Sequence, residues 1–257
     1  MVQSVQRAVH ILRLLAAGGP RPGLAELAER LGVAKPTVHA LLRTLEAEGL
    51  VVKDQQTGKY VLGPGLLALG NSFLETHELR MRSLTWAELL ATRSNEAVWV
   101  AVLNGDHVLV VHHAFRPEGA VQILEVGASI PWHTCALGKA IAAHLPQDEL
   151  AGLLAGRLAP LTGRTIVDPE VLAAELDKVR AAGYAREDQE STLGDAGLAA
   201  PVFDRSGLAG AIWVVGPVER LLAEGQDREL PVKVREVARQ LSRELGAGRA
   251  PLAQALA

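Results

Sequence analysis

Lys35, Thr37, His39 and Arg43 place four cationic or hydrogen-bonding side chains on one short segment, off its apolar positions Val38, Leu41, Leu42 and Leu45. On a helix this pattern turns an apolar stripe to a core and leaves the polar groups on the outer surface. A helix presenting such groups near its N-terminus can enter the major groove of duplex DNA and meet the base edges. Pro36 suits the start of that helix, where its missing N–H would have no partner. Arg7 lies upstream, and Lys53 and Lys59 flank a polar loop downstream. These cations can neutralise phosphates without reading sequence. A second group of residues suggests different chemistry. His112, His113, His133 and Cys135 are types that ligate zinc or act as nucleophile and base. A zinc site would need distant segments to bring all four together, and no residue is evident to orient a histidine base. The expectation is therefore no catalysis, no metal and no cofactor.

The elements that must position the cationic residues are readable. Ser4–Ala17 has Val5, Ala8, Val9, Leu12 and Leu15 at helical spacing, and Gly18-Gly19-Pro20 ends it. A second helix is expected over Leu24–Leu31, with Leu24, Leu27, Ala28 and Leu31 inward and Gly32 as a left-handed end. The third starts near Lys35 and closes at Gly49. Leu50–Lys53 and Lys59–Leu62 are β-prone runs around a loop containing Gly58, a hairpin signal. Three helices and a hairpin with a cationic tip make a winged helix-turn-helix that binds double-stranded DNA.

Bulk composition agrees. The 257 residues are 49% apolar and 21% charged, with a net charge of −3. Residues 1–62 hold eight Lys or Arg against five acids, and the remainder holds 18 basic against 24 acidic residues. A basic head on an acidic body fits nucleic-acid contact by the head alone. No window reaches membrane-span length, no signal peptide is evident, and the single cysteine fits a cytoplasmic location.

Beyond the head, Pro64–Thr76 is expected to be a linker helix with Leu66, Leu67, Leu69, Phe73 and Leu74 on it, followed by a helix over Leu79–Ser94. Ala97–Leu103 and His107–Ala114 form a hairpin around Asn104-Gly105-Asp106. A strand is expected over 120–126. Helices are expected over Leu137–His144, Asp148–Leu154, Pro169–Ala182 and Leu230–Leu245, and a second hairpin over Gly197–Asp204 and Leu208–Val215. Mixed helices and hairpin-linked strands indicate an α+β fold with an antiparallel sheet. The expected domains are a head over 1–63, a linker helix over 64–78, a second domain over 79–248 and a flexible tail over 249–257.

Several runs carry a more specific likeness: Ser4-Val5-Gln6-Arg7-Ala8, Pro36-Thr37-Val38-His39-Ala40-Leu41-Leu42, Gly58-Lys59-Tyr60-Val61-Leu62-Gly63, His133-Thr134-Cys135-Ala136-Leu137-Gly138-Lys139-Ala140, Ala199-Ala200-Pro201-Val202 and Gly216-Pro217. With these the chain resembles, over nearly its whole length, the IclR family of bacterial transcriptional regulators. The resemblance implies a GAF-like effector-binding domain, and a homodimer or homotetramer with a palindromic operator. It also implies control by a small molecule, often an organic or aromatic acid, bound near the start of the Gly138-Lys139-Ala140 helix. By position, Ala136 and Leu137 correspond to residues whose backbone would donate to that acid, with Thr134 and Trp132 beside them.

The departures are informative. Members that bind small polar acids carry an acid, a cysteine and two serines where this chain has Glu187, Gly197, Trp213 and Val215. Alternate residues share one face of a strand, so Trp213 and Val215 point together. The expected effector is then an aromatic or larger organic acid. Two alternatives stand beside it: Trp213 fills the pocket and no inducer exists, or the protein is a sensor or scaffold that does not bind DNA. Trp99 is either pocket wall or core. Whether a regulator of this kind represses is expected from the likeness alone.

Overall fold

The computed structural model describes residues 2–119, 122–223 and 226–248. The chain divides into two compact units, Met1–Thr76 and His77–Ala257.

The first unit begins with α1 (Gln3–Ala16), α2 (Leu24–Leu31) and α3 (Lys35–Ala47), followed by the antiparallel pair β1 (Val51–Lys53) and β2 (Tyr60–Leu62). Gly32 ends α2 in the left-handed conformation, with φ 64°, the role a residue without Cβ fills at least cost. The core joins Ile11, Leu27, Val38, Leu42, Leu45, Val51 and Tyr60. The inward face of α1 differs from the expected one. Val5 and Val9 are 61% and 40% exposed, whereas Ile11 is fully buried. The packed row is Ala8, Ile11, Leu12 and Leu15, an i, i+3, i+4, i+7 set turned away from the valines. α4 (Gly65–Thr76) closes this unit and buries no residue.

The second unit opens with α5 (Glu78–Ser94), then β3 (Ala97–Asn104), β4 (His107–Ala114), β5 (Ser129–Pro131), a 3-10 turn at Trp132–Thr134, and α6 (Ala136–Ala142). It continues with α7 (Gln147–Leu154), α8 (Pro169–Ala182), β6 (Ala185–Asp188), β7 (Asp195–Asp204), β8 (Gly207–Pro217), α9 (Val218–Leu221) and α10 (Gln226–Glu244). The strands form one antiparallel sheet in the order β5-β4-β3-β8-β7-β6. α5 and α10 cover one face, while α6 packs on the other with α8 behind it. Both faces are covered, so β7 is buried over eight consecutive residues and shows no polar alternation. α8 starts on a side-chain cap: Asp168 Oδ1 accepts from the Glu170 and Val171 amides at 2.8 and 3.1 Å.

The strand expected over 120–126 is not formed over residues 122–126. Its first two residues and the tail 249–257 lie outside the described residues. The strand pairing with β4 is instead Ser129–Pro131, against His107–Leu109. β6 was not expected, because Arg186 and Glu187 interrupt any apolar run there.

Candidate functional site

Two sites emerge, one in each unit. In the first, α3 presents Lys35, Pro36, His39 and Arg43 to solvent, with Thr37 half-buried. Val38, Leu42 and Leu45 hold the opposite side in the core. The exposed surface of α3 extends to Thr44, whose hydroxyl donates to the Ala40 carbonyl at 3.2 Å. Arg7 on α1 is half-buried, as are Lys53 and Lys59. The Lys53 ammonium lies 5.8 Å from the Tyr60 ring centroid, so an aromatic face steadies one of the wing cations.

The wing tip is a side-chain-braced turn. Asp54 Oδ1 accepts from the Gln56 and Thr57 amides at 2.9 and 3.3 Å. Hydrogen bonds from Thr57 and Gln56 hold its carboxyl below the usual range. Gly58 adopts φ 70°. The hairpin also gains a third stretch of backbone that periodicity could not show. The Tyr60 amide donates to the Pro22 carbonyl at 3.0 Å, and Gly23 bridges to Lys59. This places Arg21 beside the wing, close enough to act on the Asp54 charge. At the exit, a Cβ on Gly63 would lie 2.2 Å from the Gly49 carbonyl oxygen, so only glycine lets β2 leave against the end of α3.

In the second unit, β3 and β8 set Trp99 opposite Trp213. Their rings meet edge to face at 5.0 Å and 89°, a favoured arrangement for aromatic quadrupoles. Both rings and Val215 line a cavity of about 590 Å³ on the sheet face that carries α6. The β4–β5 connection supplies Glu125 and the start of β5 supplies Ser129, while the β6–β7 loop supplies Ser191 and Thr192 and the start of β7 supplies Asp195. A smaller adjoining cavity of about 240 Å³ shares Trp99, Glu125, Asp195 and Val215, and reaches Arg116 and Arg220. Arg220 is paired there with Glu96, Nη2 to Oε2 at 2.8 Å. Glu125 is anchored by its amide, which donates to His113 Nδ1 at 3.1 Å. Burial, with Glu219 beside it, raises the Asp195 carboxyl above its ordinary range.

Of the residues singled out from the sequence, Trp213 and Val215 line the larger cavity, as does Trp99, while Trp132, Thr134, Ala136, Leu137, Glu187 and Gly197 do not. The Ala136 amide at the start of α6 is not free for a ligand. It donates to Glu187 Oε2 at 3.3 Å. Glu187 Oε1 accepts from the Ser191 amide at 3.1 Å and also from the Ser191 hydroxyl. The chain's own carboxylate thus occupies the helix N-terminus that an acid was expected to take, because β6 holds Glu187 beneath it. Burial raises the Glu187 carboxyl, with the Ser191 and Ala136 hydrogen bonds opposing. Thr134 is turned back on its own turn, donating to the Pro131 carbonyl at 2.9 Å. Trp132 is 2% exposed, and its carbonyl oxygen lies 1.9 Å from where a Cβ on Gly138 would stand.

Behind α6, Lys139 Nζ meets Glu190 Oε1 at 2.6 Å in a buried ion pair. Cys135 is fully buried, and burial with the nearby Glu187 charge pushes its thiol up to about 12. A thiol so protonated is no nucleophile at neutral pH. Among the described residues no three His, Cys, Asp or Glu side chains converge as a metal site. Burial and Arg80 push His112 down to about 4. No helix among the described residues is long and apolar enough to cross a membrane.

Two family domains cover the chain. The IclR helix-turn-helix domain matches residues 4–55, and the bacterial transcriptional regulator IclR C-terminal domain matches residues 71–243. The chain belongs to the IclR family. The chain is 49% identical over 250 residues to the glycerol operon regulatory protein of Streptomyces griseus, covering 96% of this chain and 98% of that protein. The protein of that name from Streptomyces coelicolor is 47% identical with the same coverage. The IclR transcriptional regulator of Alicyclobacillus acidocaldarius shares the fold at a TM-score of 0.80 and 30% identity, covering 95% of this chain and 98% of that one. This IclR-family chain is a DNA-binding transcriptional regulator and not an enzyme. The residues that sequence reasoning missed are Arg21 at the wing and Glu125, Ser129, Ser191, Thr192 and Asp195 at the cavity. Only Arg21 carried a signal, its charge in a Pro-flanked turn; the others lie in loops or at the first residue of a strand, where periodicity says nothing.

Proposed function

We propose that this protein is an effector-controlled IclR-type repressor, built as a head over 1–63, a connector over 64–78 and a sensor over 79–248. It would act as a homodimer, or a dimer of dimers, on a palindromic operator with one head per half-site. The observation that carries the DNA-binding part is the exposed row Lys35, His39 and Arg43 on a helix whose other side is locked into a core. Lys35, Pro36, Thr37, His39 and Arg43 face the groove, while Arg7, Lys53 and Lys59 meet phosphates. The apolar Leu67 and Leu69 on α4, 68% and 62% exposed, support self-association through the connector. The effector binds in the cavity beside Trp99 and Trp213 and favours one arrangement of the heads by binding it better. The names of the two Streptomyces relatives make a glycerol operon the first regulated target to try.

The test is binding to DNA upstream of the protein's own gene at two salt concentrations. Specific binding should fall steeply with salt, as counterions are displaced from phosphates. Lys35→Ala and Arg43→Ala should each weaken operator binding, by about 1–3 kcal/mol where the side chain reads a base. Unchanged affinity in both variants refutes the assignment of α3. The reading in which Trp213 leaves no room for an inducer is disfavoured by the cavity that remains beside it.

A further inference from the structure

We propose that the cavity beside Trp99 and Trp213 takes a neutral, hydroxyl-rich ligand of polyol or sugar type and excludes organic-acid anions. The inference rests on the reading above that this cavity is the effector site.

Three observations carry it. First, among the described residues that line the larger cavity the charged groups are both carboxylates, Glu125 and Asp195, with no Lys, Arg or His; Arg116 and Arg220 belong to the smaller adjoining cavity, where Arg220 is paired with Glu96. An anion entering there meets like charge in a partly enclosed space, where repulsion is screened less than in water. Second, the N-terminus of α6 is already capped by Glu187, which accepts from the Ala136 amide. Its positive dipole end is therefore spent on an internal carboxylate. Third, the remaining wall chemistry is that of hydroxyl recognition. Ser129, Ser191 and Thr192 add side-chain oxygens. The Trp99 and Trp213 rings add aromatic surface to the same wall.

Two carboxylates beside two indoles could also suit a cation. A cation, however, uses only the oxygen lone pairs of that wall and offers no acceptor to the hydroxyls of Ser129, Ser191 and Thr192. A polyol both donates to the carboxylates and accepts from the serine and threonine hydroxyls, and its C–H faces pack on aromatic rings. It is the class that answers every group on the wall. This reverses the expectation of an aromatic or larger organic acid, which came from the lost serines and cysteine without sight of Glu125 and Asp195.

The experiment is calorimetric titration of the full chain with glycerol, sorbitol, glycerol 3-phosphate and 4-hydroxybenzoate, on wild type, Asp195→Asn and Trp99→Phe. Calorimetry is preferred to a melting shift because polyols stabilise any protein nonspecifically at high concentration. Saturable binding of glycerol or sorbitol, weakened about tenfold or more in Asp195→Asn, with no binding of either anion, is the expected result. Saturable binding of an anion that Trp99→Phe or Asp195→Asn alters overturns the ligand class while keeping the cavity as the site. Polyol binding that neither variant changes overturns the cavity itself. Absence of saturable binding by all four probes, with operator binding intact, overturns the polyol proposal and leaves the DNA-binding reading standing.

Discussion

Gly197 and Trp213 should behave as one steric unit. Gly197 sits on β7 between Glu187 of β6 and Val215 of β8. A Cβ built there would lie 1.8 Å from Trp213 Nε1 and 2.5 Å from Cε2. The struck group is a rigid bicyclic ring, 2% exposed and held edge-on by Trp99, so it cannot simply swing aside. Gly197→Ala therefore forces overpacking, at a cost of about 1–3 kcal/mol. Trp213→Ser removes a large buried side chain and should cost about 3–5 kcal/mol. If the two sites were independent, the double variant would lose about 4–8 kcal/mol. With the ring gone, however, the new methyl has space, and the Gly197 penalty vanishes. The double variant should then be no less stable than Trp213→Ser alone, giving a coupling of about 1–3 kcal/mol. Urea unfolding followed by tryptophan fluorescence measures this cleanly, because Trp86, Trp99, Trp132 and Trp213 all belong to the second unit. Penalties that add to within about 0.5 kcal/mol would refute the steric link.

Two further outcomes follow from the buried groups around α6. Burial raises the Glu187 carboxyl above its ordinary 4.5, so the native state holds that proton more tightly than the unfolded chain does. The contribution to stability is thus greatest below about pH 4.5 and is lost as pH rises through the folded value. Wild type should lose stability relative to Glu187→Gln as pH rises above about 4.5 in urea titrations, and parallel pH curves would show that the carboxylate is not strained by burial. Cys135, fully buried and with its thiol pushed up to about 12, should resist maleimide in the native protein at pH 8 and react fully after denaturation. Stoichiometric labelling of the native chain would contradict that burial.

Much of the head was legible because its signals are local. Gly32, Pro36, Gly49 and Gly58 punctuate short elements, and the stripe Val38, Leu42, Leu45 identifies the inner side of α3 within a few turns. The face of α1 was not legible in the same way. Val5, Val9, Leu12 and Leu15 make as regular a row as Ala8, Ile11, Leu12 and Leu15, and only packing against α2 and α3 selects Ile11. The third stretch of the wing, Pro22–Gly23, is likewise a pairing between segments far apart in the chain.

The second unit shows where local reasoning ends. Hairpins with a tight turn, such as β3–β4 around Gly105, announce themselves through the turn residues. The pairing of β3 with β8 does not, and it is that pairing which brings Trp99 against Trp213 and opens the cavity beside them. The sequence by itself determined the family and the amphipathic third helix of the head. Only the tertiary structure decided that Glu187 caps α6 and that Glu125 and Asp195 converge on one cavity. The physical reason is that backbone propensity and periodicity are set by neighbours within a turn or two. The charge and shape of a pocket are set by which distant loops the sheet order brings together.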